Sequence, residues 1–181
     1  MVKRVRNVKY GVEEKVKEGR LKRAAIDHAL VHGHFLKAYH DLAVMENLDK
    51  LNSEKPAGWV PCQDWVVVSG YYGMYHSALA MLALKGWKSD DHDATIKMLK
   101  YIYVYQEGKL TLADVQKLEK AKSLLDDINK LAKAKMMRKD ASYGVDFLEI
   151  DVRGILRDSR PFVERMRLLL KEELGYDILS R

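Results

Sequence analysis

Five residues able to move protons or hold a metal crowd one short stretch: Asp27, His28, His32, His34 and His40. His28 and His32 stand four apart, on one face of a helix, a spacing that can seat a metal ion. No cysteine joins them and an HExxH arrangement is absent, so exposed histidines on a polar face are the simpler description and no metal is assigned. Arg23 and His28 also spell Arg-x4-His. An arginine that holds a phosphate beside a histidine that moves a proton is a workable pair for RNA cleavage. Two such residues also meet often by chance. A fifth histidine, His76, stands apart, inside the most apolar run of the chain.

That run must position whatever chemistry the chain has. Between Asp64 and Lys85 no residue carries a formal charge. The stretch is long enough to cross a bilayer. Its middle, however, holds Ser69, Gly70, Tyr71, Tyr72, Gly73, Tyr75, His76 and Ser77, and polar groups at membrane depth are costly. A helix apolar nearly all round is then the buried central helix of a bundle, with no membrane involved. Its tyrosines and histidine require hydrogen-bond partners from other helices.

The composition fits that frame. The chain has 181 residues, 48% hydrophobic and 32% charged, with 11 Gly and 3 Pro, enough for one core in one helical domain. A single cysteine, Cys62, forms no internal disulfide and fits a reducing, cytoplasmic setting. The basic N-terminus has no apolar run after it, so no signal peptide is expected. Residues 1–23 carry nine Lys and Arg against three Glu, which accounts for the whole net charge of +6. This local surplus, ending in Lys22 and Arg23, can attract a polyanion. Residues 1–19 read as a basic arm and 20–181 as the bundle.

Along the chain, Met1–Tyr10 spaces Val2, Val5 and Val8 among cations, as a short strand or a loose arm. A helix is expected from Arg20, interrupted or kinked at His32-Gly33-His34 and resuming through Leu51. The stretch from Lys50 to Trp59 is the best loop, and Pro61 suits the first turn of the central helix. That helix ends near Gly86. Ser89, Asp90 and Asp91 are N-cap candidates for the next one. Tyr101, Tyr103 and Tyr105 alternate as a strand would, but the helical neighbourhood favours a helix end. Gly108 breaks the chain, Thr111 caps an amphipathic helix to about Met137, and a last helix begins near residues 149–151, with a kink or a restart at Pro161. About five main helices, mostly antiparallel, make an all-α, up-and-down bundle.

One string carries more than periodicity. GYYGMYHSALAMLALKGW resembles the second helix of the HEPN family of small helical bundles, in Tyr71, Tyr72, Met74, Tyr75, His76, Ala78, Leu82, Lys85 and Gly86. Ser89–Leu99 is similar to that family's next helix. Arg138-Lys139-Asp140-Ala141-Ser142-Tyr143-Gly144 resembles the Arg-x-x-Ala-Asp-Tyr-Gly signature of one branch, with Ser142 in place of aspartate and one extra residue unless Lys139 replaces the arginine. The resemblance spans about residues 20–173. It implies the bundle fold, a homodimer, and ribonucleases, toxins or their regulators as relatives, some paired with a nucleotidyltransferase-like protein in toxin–antitoxin fashion. No cofactor is implied.

The family's active motif, Arg followed four to six residues later by His, maps onto Arg138 and Tyr143. A tyrosine, with an unperturbed pKa of about 10, is a poor general base at neutral pH, yet it can stack on a base. The resemblance therefore implies Arg138, Tyr143 and His76 as the catalytic set and Arg138 and Lys139 as contacts to nucleic acid, to which the basic surplus adds Lys22 and Arg23. Three functions follow: an RNA- or nucleotide-contacting regulatory module, a metal-independent endoribonuclease, and a structural partner subunit.

Overall fold

The computed structural model describes residues 2–137 and 151–180. In chain order these form α1 (Val2–Lys17), β1 (Leu21–Arg23), α2 (His28–Glu54), α3 (Gln63–Leu84), β2 (Trp87–Ser89), α4 (His92–Leu99), a π-helical continuation (Lys100–Gln106), α5 (Leu112–Met137) and α6 (Arg153–Leu174). The fold is an all-α bundle, and its one sheet is the antiparallel ribbon β1–β2, in register Leu21↔Ser89, Lys22↔Lys88 and Arg23↔Trp87.

α3 is the axis, and α2, α4, α5, α6 and β2 all pack on it. Tyr71, Met74, Ala78, Met81 and Leu82 along it are fully buried, as an uncharged helix demands. α2 runs antiparallel to it. Gly70 lies against Met45, and His76 meets His34. Gly70 also admits α6: a Cβ there would lie 2.6 Å from Ile155 Cγ1 and 2.7 Å from Met45 Sδ, so only glycine lets the helices approach this closely. No helix among the described residues is long and apolar enough to cross a membrane.

Local signals explain the ends. Asp27 caps α2 by accepting from Leu30 N at 3.1 Å, and Asp91 caps α4 by accepting from Ala94 N at 2.7 Å. Thr111 and Asp114 close a reciprocal box at the start of α5: Thr111 N donates to Asp114 Oδ2 at 2.9 Å, and Asp114 N to Thr111 Oγ1 at 3.2 Å. In the connection from α2 to α3, Asn52 Oδ1 accepts from Trp59 Nε1 and from Cys62 N.

Several local expectations change. The Met1–Tyr10 stretch, expected as a short strand or a loose arm, belongs from Val2 onward to α1, which seats Val12 in the core. Val5, Val12 and Val16 recur at near-helical spacing, which the cations between them mask. The helix expected from Arg20 is a strand over Leu21–Arg23, and α2 begins only at His28, where Asp27 supplies a cap. α2 passes through Gly33 without interruption, because one glycine costs only about 1 kcal/mol in a helix interior. Pro61 precedes α3 instead of opening it. α6 spans Pro161, at the loss of one backbone hydrogen bond. The alternating tyrosines are π-helical, with the Tyr103 hydroxyl donating to Met81 O at 2.9 Å.

Candidate functional site

From Trp65 to its end, every α3 residue is buried except Trp65, Val68, Tyr72 and His76. Their spacing of three, four and four places them on one face. The string from Gly70 to Trp87 therefore divides in two. Tyr71, Met74, Tyr75, Ala78 and Leu82 are core. Lys85 is structural too: its ammonium pairs with Glu107 at 2.7 Å and Glu173 at 2.8 Å, and lies over the Tyr103 ring. Gly86 has φ +70°, with Ala24 O only 2.8 Å from where a Cβ would sit. Of the string, Tyr72 and His76 remain open.

His76 meets His34 of α2, Nδ1 to Nδ1, at 3.2 Å. The ring centroids are 5.5 Å apart with planes inclined by 27°. That separation equals the nitrogen distance plus about two ring radii, so the rings meet edge to edge and the contact is an in-line N–H···N bond. Only one nitrogen can carry the shared proton; one ring donates and the other accepts. Burial, and then the charge of His76, holds His34 below the usual histidine range. Burial also lowers His76, with Asp41 opposing and Lys37 adding to the effect. Both rings are therefore neutral at neutral pH.

The open strip continues through Tyr72, whose ring lies 6.2 Å from that of His76 and meets His92 edge-on. His92 stacks on Tyr75 at 4.4 Å, and its Nδ1 is bonded to the Tyr71 hydroxyl. Burial, followed by Lys122, depresses its pKa, while Asp91, Asp126 and Asp93 oppose. Six aromatic rings thus run from His34 to Tyr71. Beside them Tyr72, His92, Asn129 and four carboxylates, Asp90, Asp91, Asp93 and Asp126, line a hollow that Lys122 shares through pairs with Asp93 and Asp126.

At the other end of the strip a cleft of about 170 Å³ is lined by Leu30, His34, Leu79, Ala83, Trp87, Lys88 and Ser89. Above it stands the ribbon. Arg23 lies over the Trp87 ring at 4.1 Å and donates to Lys85 O at 3.2 Å. Lys22 and Lys88 face each other across the strands, and neither forms an ion pair with another described residue. Like charges directly opposite oppose sheet pairing, so the ribbon offers an anion two uncompensated cations.

The residues anticipated from sequence thus separate. His76 is in the open strip, and Lys22 and Arg23 are on the ribbon at its end. Arg138, Lys139 and Tyr143 lie outside the described residues. The histidines of α2 disperse: His28 is exposed, His32 Nε2 bonds the Tyr176 hydroxyl at 3.0 Å, and His40 reaches Asp41. Among the described residues no group of three or more His, Cys, Asp or Glu is placed to hold a metal. The pairing of His34 with His76 was not read from the sequence. Its trace is that Leu30, His34 and Asp41 share one flank of α2, visible only once the helix is known to run through Gly33.

No family model, curated protein or solved structure matches the chain.

Proposed function

We propose that the chain is a HEPN-like binding or regulatory module that contacts single-stranded RNA, or a nucleotide, along the open face of α3. The observation that carries this reading is the partial exposure of Tyr72 and His76, in line with Trp65 and Val68, on a helix whose other residues from Val66 onward are buried. Aromatic faces of this kind stack on unpaired bases, at about 1–3 kcal/mol per base, and neutral imidazoles hydrogen-bond to base edges. The uncompensated Lys22 and Lys88, with Arg23 on Trp87, supply the phosphate contacts. The resemblance adds Arg138, Lys139 and Tyr143, which lie outside the described residues, as further contacts. It also adds a homodimer and a nucleotidyltransferase-like partner.

Gel filtration of purified protein with a labelled mixed-sequence RNA at low salt tests the reading. A dimer that retains RNA supports it; a monomer that retains none counts against it.

The His34–His76 pair also favours a second reading, a metal-independent endoribonuclease. A neutral imidazole can take a proton from a 2′-hydroxyl at neutral pH, with Arg138 on the scissile phosphate. Cleavage that survives EDTA and is lost in Arg138→Ala and His76→Ala is its signature. Intact RNA in every lane leaves the binding module.

A further inference from the structure

The cleft at the ribbon end of the strip has a small polar inventory. At about 170 Å³ it is below the range of about 300–1,000 Å³ that holds drug-sized ligands, so it admits one ring-sized group. Leu30, Leu79, Ala83 and Trp87 form apolar walls. The Ser89 hydroxyl is already committed, donating to Asp91 O at 3.0 Å and accepting from Thr95 Oγ1 at 2.8 Å. Two side-chain polar groups are left among the described lining residues, the Trp87 indole N–H and the His34 imidazole, because exposed Lys88 alternates with Trp87 and Ser89 along β2 and projects with Lys22 from the ribbon's outer face. His34 spends Nδ1 on His76, so the ring edge left to the cleft is the one bearing Nε2, and no described residue hydrogen-bonds to that nitrogen.

The in-line bond couples the state of that nitrogen to His76. If His34 donates its Nδ1 proton, its Nε2 is bare and accepts; if His76 donates, His34 Nε2 carries a proton. The Asp41 carboxylate favours positive charge on His76, which agrees with the outer proton residing on that ring. Burial keeps His34 uncharged at neutral pH.

Resting on the RNA-contact reading above, we propose that His34 is the residue by which this cleft distinguishes RNA from DNA. Its Nε2 accepts a hydrogen bond from a ribose 2′-hydroxyl, while Lys88, on the outer face of the ribbon above the cleft, takes a neighbouring phosphate. A deoxyribose has no donor there, so the acceptor is left unpaired beside an apolar wall. His76 is the positioning residue, because it fixes which nitrogen of His34 is bare.

Two measurements on the full chain test this. In the first, fluorescence anisotropy compares ribo- and deoxyribo-oligonucleotides of one sequence at low salt. The wild type is expected to prefer RNA by about two- to tenfold, the worth of one neutral hydrogen bond. His34→Ala is expected to lose that preference, its RNA and DNA affinities converging, and His34→Gln, whose amide oxygen restores an acceptor, to retain part of it. In the second, nitrogen-15 spectra of the free protein are expected to show His34 protonated at Nδ1 and bare at Nε2, with His76 the reverse. Equal affinity of the wild type for both polymers overturns the proposal and leaves the binding reading standing, as does the opposite tautomer of His34. Failure to bind either polymer overturns the binding reading itself.

Discussion

Gly70 of α3 and Ile155 of α6 are so close that a methyl group on the glycine would lie 2.6 Å from Ile155 Cγ1. The contact sets the spacing of the two helices below any that alanine allows. Gly70→Ala is predicted to destabilise the fold by about 1–3 kcal/mol, the usual cost of overpacking, despite alanine's better helix propensity. Ile155→Ala in the same background, which removes Cγ1, is predicted to recover part of the loss. Thermal or urea unfolding of the four proteins of that cycle measures the coupling; additive effects would contradict the close contact.

Lys22 opposite Lys88 separates stability from function. Lys22→Glu turns a like-charged cross-strand pair into an opposite-charged one, which is worth about 0.2–1 kcal/mol to the ribbon. Its melting temperature is predicted to rise slightly while its affinity for RNA falls. The slope of log affinity against log salt is predicted to become shallower by about one phosphate contact. Unchanged RNA affinity in Lys22→Glu would remove the ribbon from the binding surface.

Stability is predicted to fall in mild acid. His34, His76 and His92 all have pKa values below the ordinary 6.5 in the folded protein, each chiefly through burial. The unfolded chain then binds protons that the folded one refuses, so stability rises with pH in this range. Their contribution is complete above about pH 6.5 and declines as the pH drops below that value toward the folded pKa values. The charges facing them, Asp41 and Lys37 around His76 and Lys122, Asp91, Asp93 and Asp126 around His92, partly offset one another. Asp177 behaves differently. Arg167 holds its carboxyl at about 2, so that pair persists to far lower pH. Urea midpoints at pH 7.5 and 5 measure the effect, and a double variant, His34→Ala with His76→Ala, should flatten the dependence.

The central helix is legible in the sequence because an uncharged run of that length with polar groups in its middle has only one soluble solution, burial among other helices. α4 and α5 are legible from Asp91 and Thr111, whose side chains satisfy backbone groups wherever a helix starts. α1 is not, because its valines alternate with cations and the charge pattern obscures the helical period. The ribbon is not either: three residues per strand are too few to show alternation, and Leu21, Lys22 and Arg23 extend a helix just as well. At the site, His76 and Tyr72 stand out as polar residues in an apolar run, while His34 looks like any exposed histidine until α2 and α3 are set side by side.

The most direct test of the account is the affinity of a short single-stranded RNA for the wild type and for Tyr72→Ala, measured by anisotropy at low salt with folding verified by circular dichroism. Tyr72 is half-buried at the surface of α3, so its removal spares the core. The account predicts that the variant stays folded and loses about 1–3 kcal/mol of binding, the worth of one stacked base. A folded Tyr72→Ala that binds RNA as tightly as the wild type, or a wild type that binds none, would contradict the assignment of this face to RNA.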